Sequence, residues 1–317
     1  MIRRIVTGVL FTLAVAALLL PGYRWPLLPA LLFTAASVVC ILEMTAALEA
    51  KGIRPSRPVA VVGSLGVLAP LLPLLFHAAP GWRLVAVPTG GFAPIGDWKP
   101  VMMRLLSEGL ACTGFLMIVA SMGLAVATIV AHGPGSLVDG VATSAMAIYV
   151  SFPLSCAVLL LYAVPDGFLW MLAAPIAAWI TDVFAYFSGS LFGRSKLVPD
   201  ISPKKTVEGA VGGVVACMLV LGVFFGLFVG RGWPVPYTRL GSVLFGLAVG
   251  LVCGVLAQFG DWLASAVKRY CGVKDFGSVL PGHGGVLDRF DSVLFTAPAM
   301  LLASLVYYLL RPFAGLG

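Results

Sequence analysis

The chain has 317 residues and a formal net charge of +7, with 60% hydrophobic and only 10% charged residues, at a mean hydropathy of +1.05. Soluble domains carry roughly 25% charged residues, so an ordinary soluble domain is excluded, and the apolar runs are too long for the alternating strands of a membrane barrel. The class that remains is an all-α, polytopic integral membrane protein.

In chain order, nine transmembrane helices are expected, at 5 to 22, 27 to 49, 58 to 77, 109 to 131, 141 to 163, 167 to 190, 208 to 230, 239 to 267 and 287 to 310, each near the roughly 20 residues a span needs. The first follows Arg3 and Arg4 and has the basic start and apolar core of a signal peptide. No small-residue cleavage site precedes Pro21-Gly22, so it is read as a retained span. Pro70 and Pro73 are expected to kink the third. With the N-terminus cytoplasmic, 13 Lys and Arg residues lie on the inside and 7 on the outside, which favours that orientation. Two regions are expected: 1–165, apolar spans for packing and oligomerisation, and 166–317, which carries nearly all the polar signal on the cytoplasmic side. The six cysteines are scattered without metal-like spacing and read as packing residues.

Three polar clusters stand out in the second region. In residues 179–213, Asp182 lies inside an apolar span, where a carboxylate is costly unless it pairs or faces a wet cavity. A ligand role and simple pairing with a neighbouring helix are both open for it. Ser202-Pro203 is expected to start the next helix, with serine as N-cap and proline at the first helical position. Lys204 and Lys205 then fall in the first turn, against the helix dipole, a conflict that a bound phosphate would remove. The alternative is a basic loop on anionic headgroups. Gly209 and Gly213 read as close helix packing.

In residues 258–277, Asp261, Ser265 and Lys268 share one helical face, with Arg269 adjacent; the alternative is an interfacial helix end with a snorkelling lysine. The string Asp275-Phe276-Gly277 has no companion nucleotide motif and is read as coincidence. In PGHGGVLDRFD, residues 281–291, a helix starting near Val286 puts Asp288 and Asp291 on one side, with Arg289 facing elsewhere. His283 sits among Gly282, Gly284 and Gly285, which let backbone approach a ligand. Three acids brought together would repel unless divalent cations bridged them, and oxygen-only ligands suit Mg²⁺ or Mn²⁺. The residues by themselves point to a metal-dependent phosphate site on membrane helices.

The run SAVKRYCGVKDFGSVLPGHGGVLDRFD, residues 265–291, closely resembles the signature of the phosphatidate cytidylyltransferases, or CDP-diacylglycerol synthases. Ser265, Lys268-Arg269, Lys274-Asp275, His283-Gly284-Gly285 and Asp288-Arg289-x-Asp291 occur in the family's order. The upstream TDVFAYFSGSLFGR and ISPKKTVEGAVGG stretches are similar too, so the likeness covers about 166 to 300. One departure is Ala264, where many members carry a glutamate.

The resemblance implies conversion of CTP and phosphatidic acid to CDP-diacylglycerol and pyrophosphate in the bacterial inner membrane, with Mg²⁺ or Mn²⁺ required and a second, monovalent cation as a further candidate. It implies Asp261, Lys268, His283, Asp288 and Asp291 as catalytic residues. Metal ligands would be Asp261 and Asp288, with Asp182 and Asp291 as further candidates. Ser202, Lys204, Lys205, Ser265, Arg269, Lys274, Gly284, Gly285 and Arg289 would contact substrate or phosphate. Membrane lipids and a second copy of the chain are expected partners, and nucleic acid is not. The competing readings are a related CTP-dependent membrane enzyme, of CDP-archaeol synthase or polyprenol kinase type, and a cation transporter using Asp182, Asp261 and Asp288.

Overall fold

A computed structural model describes residues 13–72, 84–86, 92–94, 98–229, 238–279 and 284–309. Among them are seven helices long and apolar enough to cross a membrane, and the protein is an all-α, polytopic membrane protein. The chain divides into two compact units. The first holds residues 1–165 and Val267–Phe290; the second holds Asp166–Ala266 and residues 291–317.

In the first unit, helix α1 (Leu13–Tyr23) lies within the expected first span, whose earlier residues fall outside the described ones. Helix α2 (Leu27–Ala50) crosses with Phe33, Cys40 and Ile41 fully buried. Helix α3 (Arg57–Ser64) passes into a 3₁₀ segment, Leu65–Leu71, that contains Pro70. The expected span at 58 to 77 is therefore replaced, as far as Leu72, by a short helix and a tighter coil. Pro70 removes a backbone donor, and 3₁₀ geometry accommodates that loss in a short piece.

After a small β1 (Leu84–Ala86), β2 (Phe92–Pro94) hairpin, helix α4 (Trp98–His132) begins well before the expected residue 109. Its first turns are held by the i, i+4 pair Arg104–Glu108 at 2.6 Å, a contact that hydropathy does not register. Helix α5 (Leu137–Ala163) carries Ser151, whose hydroxyl lies 3.2 Å from that of Ser37 on α2. Small and hydroxyl side chains of this kind let membrane helices approach closely.

In the second unit, helix α6 (Gly167–Phe192) leads into β3 (Lys196–Val198) and β4 (Ser202–Thr206), an antiparallel hairpin. Helix α7 (Val207–Phe228) follows without a gap. A Cβ on Gly209 would stand 2.7 Å from the Ala185 carbonyl oxygen, and one on Gly213 2.6 Å from that of Thr181. These two glycines therefore set the α6–α7 approach, as their spacing suggested.

Helix α8 (Arg239–Tyr270) is 32 residues long and closes on α7 through Gly246 and Gly250 in the same way. The segment after the glycine loop is a single turn, α9 (Leu287–Phe290), and then α10 (Val293–Leu309). Within the second unit Trp170, fully buried, stacks edge-on to Phe225 at 4.9 Å and Tyr307 at 5.5 Å. Its indole N–H donates to the Tyr308 hydroxyl at 3.3 Å, which satisfies the one polar atom of that ring.

Candidate functional site

The structure corrects the start of α7. Ser202 and Pro203 lie in β4, and the N-cap is Thr206, whose hydroxyl accepts the Gly209 N–H at 3.2 Å. Pairing decides this: Lys196 faces Thr206 across the hairpin, and the Val207 N–H donates to the Ser195 carbonyl at 3.0 Å. A two-stranded hairpin has open edges, so the missing N–H of Pro203 costs nothing there. Lys204 and Lys205 are thus strand residues just ahead of the helix and not part of its first turn. The acid in the first turn is Glu208, which is favourable there. Its carboxylate accepts the N–H groups of Arg194 at 3.0 Å and Ser195 at 3.2 Å, tying the loop to the helix.

The lysines open onto a cavity of about 380 Å³ in the second unit, lined among others by Asp182, Tyr186, Lys204, Lys205, Gln258, Asp261 and Trp262. This is within the usual range for a small-molecule site. Lys205 Nζ stands 2.5 Å from Asp261 Oδ2, with the two side chains 24% and 31% exposed. The Ser265 hydroxyl donates to Asp261 Oδ1 at 3.2 Å, one turn along α8. Across the same unit the Ser292 hydroxyl donates to both oxygens of Asp182, at 3.3 and 3.4 Å. Two carboxylates, two lysines and the aromatic rings of Tyr186 and Trp262 thus line one cavity.

A second cluster belongs to the first unit. Lys268 Nζ lies 2.6 Å from Asp288 Oδ1, and here the side chains are only 11% and 7% exposed. Asp288 Oδ2 accepts the Phe276 N–H at 3.0 Å and the Gly285 N–H at 2.9 Å. The turn depends on Gly284, whose φ is +81° and where a Cβ would sit 2.9 Å from Asp288 Oδ2. Phe276 itself packs under the Lys268 ammonium, 5.3 Å from its ring centre.

Of the remaining expected residues, Lys274, Arg269 and Arg289 are exposed. Asp291 is 5% exposed, and its Oδ1 accepts the Ser292 N–H at 2.7 Å. Helix α9 stops at Phe290, so Asp288 and Asp291 do not share one continuous helix. His283 lies outside the described residues. Ala264 is fully buried. Cys271, just past α8, is buried as well, and burial pushes its thiol up, which suits a packing residue.

Sequence reasoning passed over Glu43, an acid in the middle of α2 that is 6% exposed. Its Oε1 accepts the Val286 N–H at 2.9 Å and its Oε2 the Leu287 N–H at 2.8 Å. The argument that singled out Asp182, an acid inside an apolar span, applies equally to it.

The donor set of the cavity fits a hard divalent cation. Asp182 and Asp261 offer carboxylate oxygens, with Ser292 and Ser265 hydroxyls bonded to them. Among the described residues no group of three or more His, Cys, Asp or Glu side chains is gathered for a metal. Mg²⁺ commonly takes one or two carboxylates from a protein and completes its shell with water and substrate phosphates.

Comparison with known proteins bears on the family. The chain is 45% identical over 148 residues to a phosphatidate cytidylyltransferase of Bacillus subtilis (strain 168), covering 47% of this chain and 49% of that protein. It is 41% identical over 135 residues to proteins of the same name from Staphylococcus haemolyticus (strain JCSC1435) and Staphylococcus aureus (strain COL), covering 43% of this chain and 48% of each of theirs. The chain thus spans about half the length of the curated relatives it matches. The model of the cytidylyltransferase family matches residues 1–307, and the chain belongs to that family.

Proposed function

We propose that the protein is a phosphatidate cytidylyltransferase, which joins CTP to phosphatidic acid and releases pyrophosphate. The observation that carries this reading is the cavity in which Lys204 and Lys205 stand beside Asp182 and Asp261. Phosphates need cations, a divalent ion needs carboxylates, and this space offers both.

In the reaction an oxygen of the lipid phosphate attacks the α-phosphorus of CTP, and a new P–O bond forms. The bond from the α-phosphorus to the bridging β-phosphate oxygen breaks, and pyrophosphate takes the electron pair. When bound, Mg²⁺ supplies charge neutralisation to the triphosphate, and Asp261 and Asp182 are the residues that would hold it. In the first unit Asp288 has one oxygen, Oδ1, directed to Lys268, whereas its Oδ2 is spent on backbone N–H groups.

Lys204 and Lys205 bear on phosphate oxygens, where preorganised cations stabilise the charge that moves onto the leaving group. Lys205 is held at 2.5 Å by Asp261, which orients it along the cavity wall. The lipid phosphate lies at the interface while its chains stay in the bilayer, which accounts for chemistry built on membrane helices. In this reading the N-terminus is inside, the polar loops face the cytoplasm, where CTP is, and the membrane is a bacterial cytoplasmic membrane.

The test is incubation of the purified protein with CTP, phosphatidic acid and Mg²⁺ in mixed micelles. CDP-diacylglycerol and pyrophosphate are expected in equal amounts. Formation of neither would overturn the reading.

A further inference from the structure

Glu43 belongs to the apolar first half of the chain, yet both of its carboxylate oxygens are committed to the turn that carries Asp288. The Val286 and Leu287 N–H groups donate to Oε1 and Oε2 at 2.9 and 2.8 Å. Gly277 and Gly285 back onto the same carboxylate, and a Cβ built on either would overlap its atoms. A charged group inside an apolar helix is expensive, and in membrane helices it marks function unless paired. Here no cation pays that cost among the described contacts; two backbone donors and two missing side chains do.

The geometry is that of two carboxylates gripping one turn from opposite ends. Asp288 reaches back to the Phe276 and Gly285 N–H groups, and Glu43 takes the next two N–H groups in the chain. Four backbone donors are thereby fixed, and the only freedom left to the Asp288 carboxylate is toward Lys268, its partner at 2.6 Å. We propose that Glu43 is a positioning residue for Asp288: it locks the Gly285–Leu287 backbone and so sets the direction from which Asp288 meets Lys268. For its activity readout this rests on the cytidylyltransferase reading; for its structural readout it does not.

The substitution Glu43→Gln keeps length and shape but replaces one acceptor oxygen with an NH₂ group, which meets a backbone N–H donor head-on. Glu43→Asp keeps the charge but falls one methylene short of reaching both donors. Gly285→Ala leaves Glu43 in place and pushes a methyl group into it.

Hydrogen exchange by mass spectrometry on the purified full-length protein reads the clamp directly. In Glu43→Gln the amides of Val286 and Leu287 are expected to exchange about tenfold faster or more, the effect of one lost hydrogen bond to a charged group. Peptides from α6 and α7 are expected to stay within about twofold of wild type. Turnover falls by about tenfold with KM for CTP nearly unchanged, because the residues of the cavity are untouched. Glu43→Asp recovers part of both effects. Gly285→Ala reproduces them, but adds little in a Glu43→Ala background, where its methyl group has room.

Exchange at Val286 and Leu287 within twofold of wild type in both Glu43→Gln and Gly285→Ala would overturn the proposal. So would an equal rise in exchange over the whole chain, which is what a merely structural acid would give. Should the wild-type protein form no CDP-lipid, the cytidylyltransferase reading fails, while the exchange measurement still decides the clamp.

Discussion

Among the described residues are two lysine–aspartate pairs, each drawing one member from α8, and their surroundings differ. Lys205 and Asp261 are a quarter to a third exposed, line a cavity, and are held by little besides each other and the Ser265 hydroxyl. Lys268 and Asp288 are about a tenth exposed or less, and Asp288 also accepts two backbone N–H groups. An ion pair that is partly wet contributes little to stability but leaves its charges available to a ligand. A buried and fully bonded pair is costly to break from one side. The comparison teaches that identical residue types can line an accessible cavity in one unit and fasten a loop in the other.

Substitutions can break this contrast, and the largest effect is expected at the cavity. Asp261→Asn removes a carboxylate that both a metal and Lys205 use, and turnover should fall by roughly 10³-fold or more, measured as CDP-lipid formed per unit time. The melting temperature should hardly move. Next comes Lys268→Met, which leaves Asp288 charged and without its cation in a nearly dry place. Thermal unfolding in detergent should report a loss of about 3 kcal/mol. The matching change Lys205→Met should cost about 10²-fold in kcat/KM for CTP and under about 1 kcal/mol in stability. If the two lysine substitutions gave the same pattern of activity and stability loss, the distinction between the pairs would be lost. The smallest effect is expected from Thr206→Ala, which deletes the N-cap of α7 and should lower stability by about 1 kcal/mol, read as a modest drop in melting temperature.

The long helices were legible because a membrane demands long apolar runs, and α2, α5, α6, α7, α8 and α10 all lie close to their expected positions. The limits of legibility follow contact range. The start of α7 was misplaced by four residues because the pairing of β3 with β4 competes with the local serine–proline signal. Proline suits a helix start and an open strand edge equally well, and only the partner strand decides. Helix α4 begins at Trp98, ahead of the residue where the apolar run of its span starts.

Within the candidate site, Asp182, Lys204, Lys205 and Asp261 could be picked out individually as charges in an apolar chain, and the structure brings them to one cavity. Glu43 was not picked out, since its partners lie 243 and 244 residues away. No window or motif contains both ends of that contact. The glycines of the HGG string were read as room for a ligand, whereas Gly285 makes room for the Glu43 carboxylate and Gly284 for that of Asp288.

The central claim is that the cavity transfers a cytidylyl group to a lipid phosphate, and label position tests it most directly. Purified protein is given phosphatidic acid and Mg²⁺ with CTP labelled in parallel at the α- or the γ-phosphate, and the lipid fraction is counted. The account predicts label in lipid from α-labelled CTP only, abolished by Asp261→Asn. Label entering lipid from the γ-position, as in a lipid kinase, or from neither, would contradict it.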